Sequence, residues 1–409
     1  MDLFIKKKLK NGLQIVFHPS AGDIACVDVA YGVGSKNEES SKTGLAHFSE
    51  HMMFCGSQNV KDYDFHMQSI GGVNNAYTNH DYTNYYCLFP KENIETALWL
   101  ESNRMVGMDF PTSAFEAQKK LVIEEFKETQ SNKPYGNIYS KLLELAYKKH
   151  SYRWAVIGKE ESHIENFTED DVKNFFSKYY SSKNATLIIS GNFDKNYIFD
   201  LAEKWFSDIE QREVDKKIIS EPIQKDYREA KIEGEAPFDA VYRGYKMSPR
   251  ISENFYTFEV LSRIFGEGKS SRLYKKLVDE EKVFNSIDTF LTESADAGLF
   301  IIGGTVSPDF SVEKANEKIE EVLSDFILKG IEKKELEKIK NIYETENAFD
   351  LCSLSNRVDN LAMFFALDGE KYINKDSFYI NNISEESVLS CARETFIPEN
   401  CSTVFFHHK

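Results

Sequence analysis

Apolar and polar positions along the chain fall into short strand-like runs separated by longer stretches with helical spacing, a pattern that predicts an α+β protein. Two apolar-alternating runs at 5–9 and 13–17 flank Asn11-Gly12, the strongest short-range signal for a hairpin. Another strand is predicted over 25–31, closed by Gly32 and Gly34. A polar loop then leads into an apolar helix with Thr43 as its N-cap and its end near Gly56. Further helices are predicted over 62–70, 94–106 and 115–129. Between the first two of these, the turn glycines Gly71 and Gly72 introduce a β-rich aromatic run that Pro90 stops.

The pattern repeats. A capped helix start at Thr168 to Val172 and a strand entry at Asn184 recur at Ser384 to Val388 and at Asn400, and 384−168, 388−172 and 400−184 all equal 216. A looser match joins the segment after Leu88-Phe89-Pro90 to helical stretches over 312–328 and 333–346. Such self-similarity implies an internal duplication. The expected organisation is two homologous domains, each a mostly antiparallel sheet packed with helices. They comprise 1–209 and 237–409, joined by a charged, weakly periodic linker over 210–236.

Inside the opening helix stands His47-Phe48-Ser49-Glu50-His51. Helical geometry puts residues four apart on one face, so His47 and His51 can reach one metal ion, while Glu50 lies beside them, where a carboxylate can accept a proton from water. The same pattern arises in buried helices whose histidines are only hydrogen-bonded, so a third ligand is the deciding feature. Catalytic zinc wants three protein ligands and one open position, which two histidines and one carboxylate supply. The duplicated half has no such motif: the corresponding helix, over 256–266, carries no histidine.

A length of 409 residues exceeds the usual single core, and the 41% hydrophobic content suffices for two. A formal charge of −16 lacks the basic footprint that nucleic acid requires and suits basic peptides better. The sequence contains no stretch of membrane-spanning length, and its start has no apolar run of signal-peptide length. Six cysteines without C-x-x-C pairs read as reduced thiols, so a cytoplasmic protein is expected.

His47-x-x-Glu50-His51, the stretch from Gly71 to Tyr86, Val122-Ile123-Glu124-Glu125 and the duplicated halves together resemble the inverzincins, the group that includes pitrilysin, insulin-degrading enzyme and mitochondrial processing peptidase. The resemblance covers nearly the whole chain and implies a zinc endopeptidase with one Zn²⁺ per chain and peptides or unfolded polypeptides as substrates. It places the third ligand at Glu125, with Glu128 one turn further on as the alternative, and makes Glu50 the general base. It also implies that Asn75, Ala76, Tyr77 and Thr78 supply an edge strand on which a peptide adds.

Two positions depart from the family pattern. Where relatives often carry a supporting glutamate, this chain has Gln118. Where active single-chain relatives resemble R-x6-Y, the aligned residues are Val278 and Asn285. The second departure implies a homologous partner subunit carrying the Arg/Tyr pair, with a heterodimer favoured over a homodimer. The competing reading is a non-enzymatic scaffold, since relatives of this fold also serve as core subunits of a respiratory complex. Such members tend to lose their ligands, whereas all of those positions are filled here.

Overall fold

A computed structural model describes residues 4–215 and 219–409. Residues 1–3, at the start of the stretch read for an apolar run of signal-peptide length, and 216–218, within the expected linker, lie outside the described residues.

The first compact unit is built on a six-stranded sheet of β1 (Ile5–Lys8), β2 (Gln14–Pro19), β3 (Ile24–Tyr31), β4 (Val73–Thr78), β5 (Thr83–Pro90) and β6 (Ala185–Gly191), in the order β1-β2-β6-β3-β5-β4. The Asn11-Gly12 hairpin forms as expected, with Gly12 at φ +89°. Only β2 and β6 pair in parallel. β6 is buried at every position, as a central strand covered on both faces must be. Its Leu187 and Ile189 join a core with Val27, Val29 and Phe48. Helices of this unit are α1 (Leu45–Met52), α2 (Tyr63–Ser69), α3 (Ile94–Val106) and α4 (Thr112–Phe126). After α5 (Ile138–Ala146), which belongs to the second unit, come α6 (Glu161–Glu165), α7 (Glu169–Tyr179) and α8 (Lys195–Phe206).

The second unit has a five-stranded sheet of β7 (Arg228–Gly234), β8 (Ala240–Met247), β9 (Phe284–Leu291), β10 (Gly298–Val306) and β11 (Cys401–His408), in the order β7-β11-β8-β10-β9. With it come α9 (Glu253–Gly266), α10 (Val312–Lys329), α11 (Lys333–Asp350), α13 (Asp376–Asn382) and α14 (Glu385–Thr395), while α12 (Leu354–Ala366) joins the first unit. Strand for strand, the order repeats that of the first sheet without β1, and β7 and β11 again form the one parallel pair. β3 and β8, and α7 and α14, begin and end 216 residues apart, so the duplication seen in sequence is a duplication of fold.

Two features depart from the expected contiguous halves. First, α5 and α12, whose starts are also 216 residues apart, are exchanged: α5 packs on β7, β8 and β11, and α12 packs on β3 and β6. The compact units are consequently Met1–Phe126, Ala155–Ile218 and Phe349–Ile373, and Lys127–Trp154, Ile219–Ala348 and Asn374–Lys409. Amphipathic spacing tells that a helix buries a face, but not which sheet receives it. Second, β7 lies within the stretch read as linker. Its sequence, Arg-Glu-Ala-Lys-Ile-Glu-Gly, alternates between half-buried and exposed positions, the charged composition of an edge strand. Among the described residues no helix is long and apolar enough to cross a membrane.

Candidate metal centre

The helix carrying His47 and His51 starts at Gly44, not Thr43. Gly44 sits in the left-handed region at φ +91°, and a Cβ there would come within 2.7 Å of the Ile157 carbonyl oxygen, so only glycine fits. The free N–H groups of this helix end are capped by Glu38, whose carboxylate accepts from Gly44 N at 3.0 Å and from Ala46 N at 2.8 Å. Thr43 is engaged elsewhere: its hydroxyl meets His163 Nδ1 at 2.8 Å and accepts from Lys159 N at 2.8 Å. The helix also stops at Met52, before the expected end near Gly56. Phe48 anchors its buried side edge-on against Phe115 of α4, with ring centroids 5.4 Å apart.

That anchoring turns His47 and His51 toward α4. Their Nε2 atoms face each other at 3.3 Å, and Glu125 brings its oxygens to 3.7 Å from each. Among the described residues these three form the one cluster of candidate metal ligands, with all donor atoms within 4.8 Å of one another. Ligands about 2.0–2.1 Å from a tetrahedral zinc lie about 3.3–3.4 Å apart, so the triangle has the size the ion demands. Proton placement agrees. His51 Nδ1 meets the Gln118 side-chain oxygen at 3.2 Å, which puts the proton on Nδ1 and leaves the Nε2 lone pair directed into the cluster. Burial, with a smaller contribution from His51, holds His47 down at about 3, so its ring is neutral as a ligand requires. Two ring nitrogens and a carboxylate converging on one point are a donor set that fits a divalent cation such as zinc. Glu128, the alternative third ligand, lies in a π-helical turn, Lys127–Asn132, where α4 was expected to continue.

Glu50 is 7% exposed. Its Oε2 accepts from the Thr78 hydroxyl at 2.6 Å. Burial raises its carboxyl to about 7; the Thr78 hydrogen bond opposes this, Glu125 adds to it and Arg104 opposes it. Arg104 is a residue the sequence did not single out, because an arginine in a helix is ordinarily solvated. Here it is buried, its guanidinium 4.0 Å from the Tyr63 ring centroid and 4.6 Å from those of Phe54 and Tyr85, with Glu101 at 3.5 Å.

The four residues expected to line the substrate separate by strand alternation. Asn75 is exposed and its side chain accepts from the Ala76 N–H, while Ala76 packs on the core. Tyr77 turns to the other sheet face, and Thr78 reaches Glu50. β4 is an edge strand of the first sheet, paired on one side only, with β5. In the second unit, Val278 lies in a π-helical turn and the Asn285 side chain donates to the Val306 carbonyl at 3.2 Å.

The raised Glu50 carboxyl carries a stability consequence for metal-free protein. A folded-state pKa of about 7 against 4.5 when unfolded means the fold binds this proton more tightly. Its contribution is therefore complete below about 4.5 and is lost as pH rises through about 7, at most about 3 kcal/mol. Thermal unfolding of chelator-treated protein at pH 5 and pH 8 is expected to show this loss, and Glu50→Gln is expected to flatten it. An equal slope in the variant would assign the effect to other groups.

The fold and this cluster define a duplicated two-domain architecture of the metallopeptidase type. The chain belongs to the insulinase, or M16, peptidase family. The family model described as "Insulinase (Peptidase family M16)" matches residues 15–159, which include His47, Glu50, His51, Gln118 and Glu125, and "Peptidase M16 inactive domain" matches 166–343. The zinc protease PqqE of Helicobacter pylori is 28% identical over 405 residues, covering 97% of this chain and 91% of that protein. The β subunit of the mitochondrial processing peptidase of Dictyostelium discoideum is 23% identical over 348 residues, covering 81% and 73%. The crystal structure of a protease from Helicobacter pylori superposes with a TM-score of 0.95 at 28% identity, covering 99% of both chains.

Proposed function

We propose that this chain is a zinc-dependent endopeptidase in which His47, His51 and Glu125 hold one Zn²⁺ and Glu50 is the general base. The observation carrying the reading is the ligand-sized triangle of two Nε2 atoms and a carboxylate with a buried, raised carboxyl beside it. Zinc bound there supplies a Lewis acid that brings the pKa of a water toward neutrality. Glu50 takes the proton of the attacking water and passes it to the leaving amine, and a titration point near 7 suits both halves of that exchange. Thr78 holds the Glu50 carboxylate in place, and Gln118 fixes the His51 ring. An extended peptide adds to β4, whose outer backbone groups have no strand partner among the described residues. The duplication junction falls in 210–236. Six free cysteines favour a reducing, cytoplasmic compartment.

With Val278 and Asn285 where the Arg/Tyr pair is expected, full activity requires a homologous partner chain that carries it. Peptide cleavage is expected to be at least about tenfold faster with the co-purified partner than without it, and to vanish when a chelator strips the zinc. Equal rates with and without the partner would remove the partner requirement. Cleavage surviving complete zinc removal would remove the metallopeptidase reading, and native protein without stoichiometric zinc would favour the scaffold.

A further inference from the structure

The duplication allows each residue of the metal centre to be followed into the second unit. Helix α9 places Arg263, Gly266 and Glu267 where α1 has His47, Glu50 and His51, since 263−47, 266−50 and 267−51 all equal 216. Burial agrees with that register: Phe48 and Ser49 are wholly buried, and Ile264 and Phe265, their counterparts, are no more than 1% exposed. Thr289 stands in β9 where Thr78 stands in β4, since 289−284 and 78−73 both equal 5. Glu346 stands in α11 where Glu125 stands in α4, since 346−333 and 125−112 both equal 13.

The frame is kept and its chemistry is changed. Arg263 Nη1 donates to Glu267 Oε1 at 2.8 Å and to Glu346 Oε2 at 2.5 Å, and the guanidinium lies 5.3 Å from the ring centroid of Tyr343. Glu259, one turn back on α9, brings a third carboxylate to 3.9 Å from Arg263 Nε. The Arg263 side chain is as sheltered as that of His47, at 13% against 14% exposure. In the first unit two ring nitrogens and a carboxylate converge on a point that suits a divalent ion. Here carboxylates converge on a positive charge that the chain itself carries, through a guanidinium fork that matches them in direction. The place of the base is filled too. A Cβ on Gly266 would collide with the Thr289 backbone nitrogen and hydroxyl, and that hydroxyl donates to the Ser262 carbonyl at 2.8 Å. Helix α11 buries only Leu336 and Ile339, both in its first half, so its second half depends on polar contacts such as the Arg263 pair.

We propose that the Arg263 guanidinium is a built-in replacement for the metal ion, tying α9 to α11 through Glu267 and Glu346 as a bound ion would tie α1 to α4. The comparison rests on the reading of His47, His51 and Glu125 as zinc ligands, whereas the Arg263 clamp stands on its own contacts. A divalent ion is kept out of the second unit by a like charge lodged among the donors. Returning two imidazoles to positions 263 and 267 removes that charge and rebuilds the donor set of the first unit on a frame already in place. The base is not rebuilt, because Thr289 occupies its space.

The test compares zinc content, by mass spectrometry after dialysis, of the full parent chain and the chain carrying Arg263→His with Glu267→His. The double variant is expected to retain one zinc more than the parent, and adding Glu346→Ala is expected to return the count to that of the parent. An unchanged count in the folded double variant, or extra zinc that survives Glu346→Ala, would overturn the proposal. Should the double variant not fold, hydrogen exchange decides. Arg263→Gln is expected to speed amide exchange over 340–350 by about tenfold or more, the size of one lost charge-assisted hydrogen bond. Arg263→Lys, which keeps the charge without the fork, is expected to recover part of that protection. Exchange unmoved by Arg263→Gln would remove the clamp. Parent chain without zinc beside a double variant with one would sink only the zinc reading of the first unit, and one zinc in both would sink only this inference.

Discussion

Glu50→Gln is expected to leave one zinc per chain and to lower kcat by about a hundredfold to ten-thousandfold. The substitution preserves size, and the Thr78 hydroxyl that donates to Glu50 Oε2 at 2.6 Å can donate equally to the amide oxygen, so the helix and its two histidines have no reason to move. What disappears is the one group placed to take a proton. Its environment makes the loss severe: at 7% exposure, bulk water has little access to replace the base. Metal content by mass spectrometry, read beside kcat on one peptide, separates the outcomes. Activity within about tenfold of the parent would take the proton transfer away from Glu50, and loss of zinc would make Glu50 a ligand.

That this experiment could be designed from the sequence shows which parts of the site are local. His47, Glu50 and His51 lie within two helical turns, so spacing alone orients them, and the 216-residue offset anticipated two homologous units, whose sheets share five strands in matching order. The parts that escaped notice are those made by distant chain. Glu38 caps α1 from inside a polar loop, where nothing in its neighbours distinguishes it from a solvated acid. Thr78 read as part of a substrate strand, and nothing in its neighbours showed that its hydroxyl also reaches Glu50. Arg104 sits in a helix pattern and becomes a buried cation only because three aromatic rings from elsewhere in the unit close over it. The exchange of α5 and α12 was invisible for a related reason. Both helices have the amphipathic stripe of any core helix, and the choice of sheet is made by chain direction and packing.

Glu125→Ala is expected to abolish zinc retention on dialysis and, with it, activity, whereas Glu128→Ala is expected to retain both. The contrast follows from a single turn of backbone. Residues 125 and 128 would share one face if the helix ran on through 129, but α4 ends at Phe126 and the π-helical turn begins at Lys127, so α-helical spacing no longer relates the two side chains. Glu125 alone has oxygens at 3.7 Å from both Nε2 atoms. Gln118→Ala offers the internal scale. Removing the partner that orients His51 is expected to weaken zinc by about 10–100-fold without losing the site, since orienting partners tune ligands that remain. Zinc held with comparable strength in Glu125→Ala and Gln118→Ala would mean that the carboxylate supports the site from outside. Zinc lost from Glu128→Ala alone would transfer the third ligand to the turn.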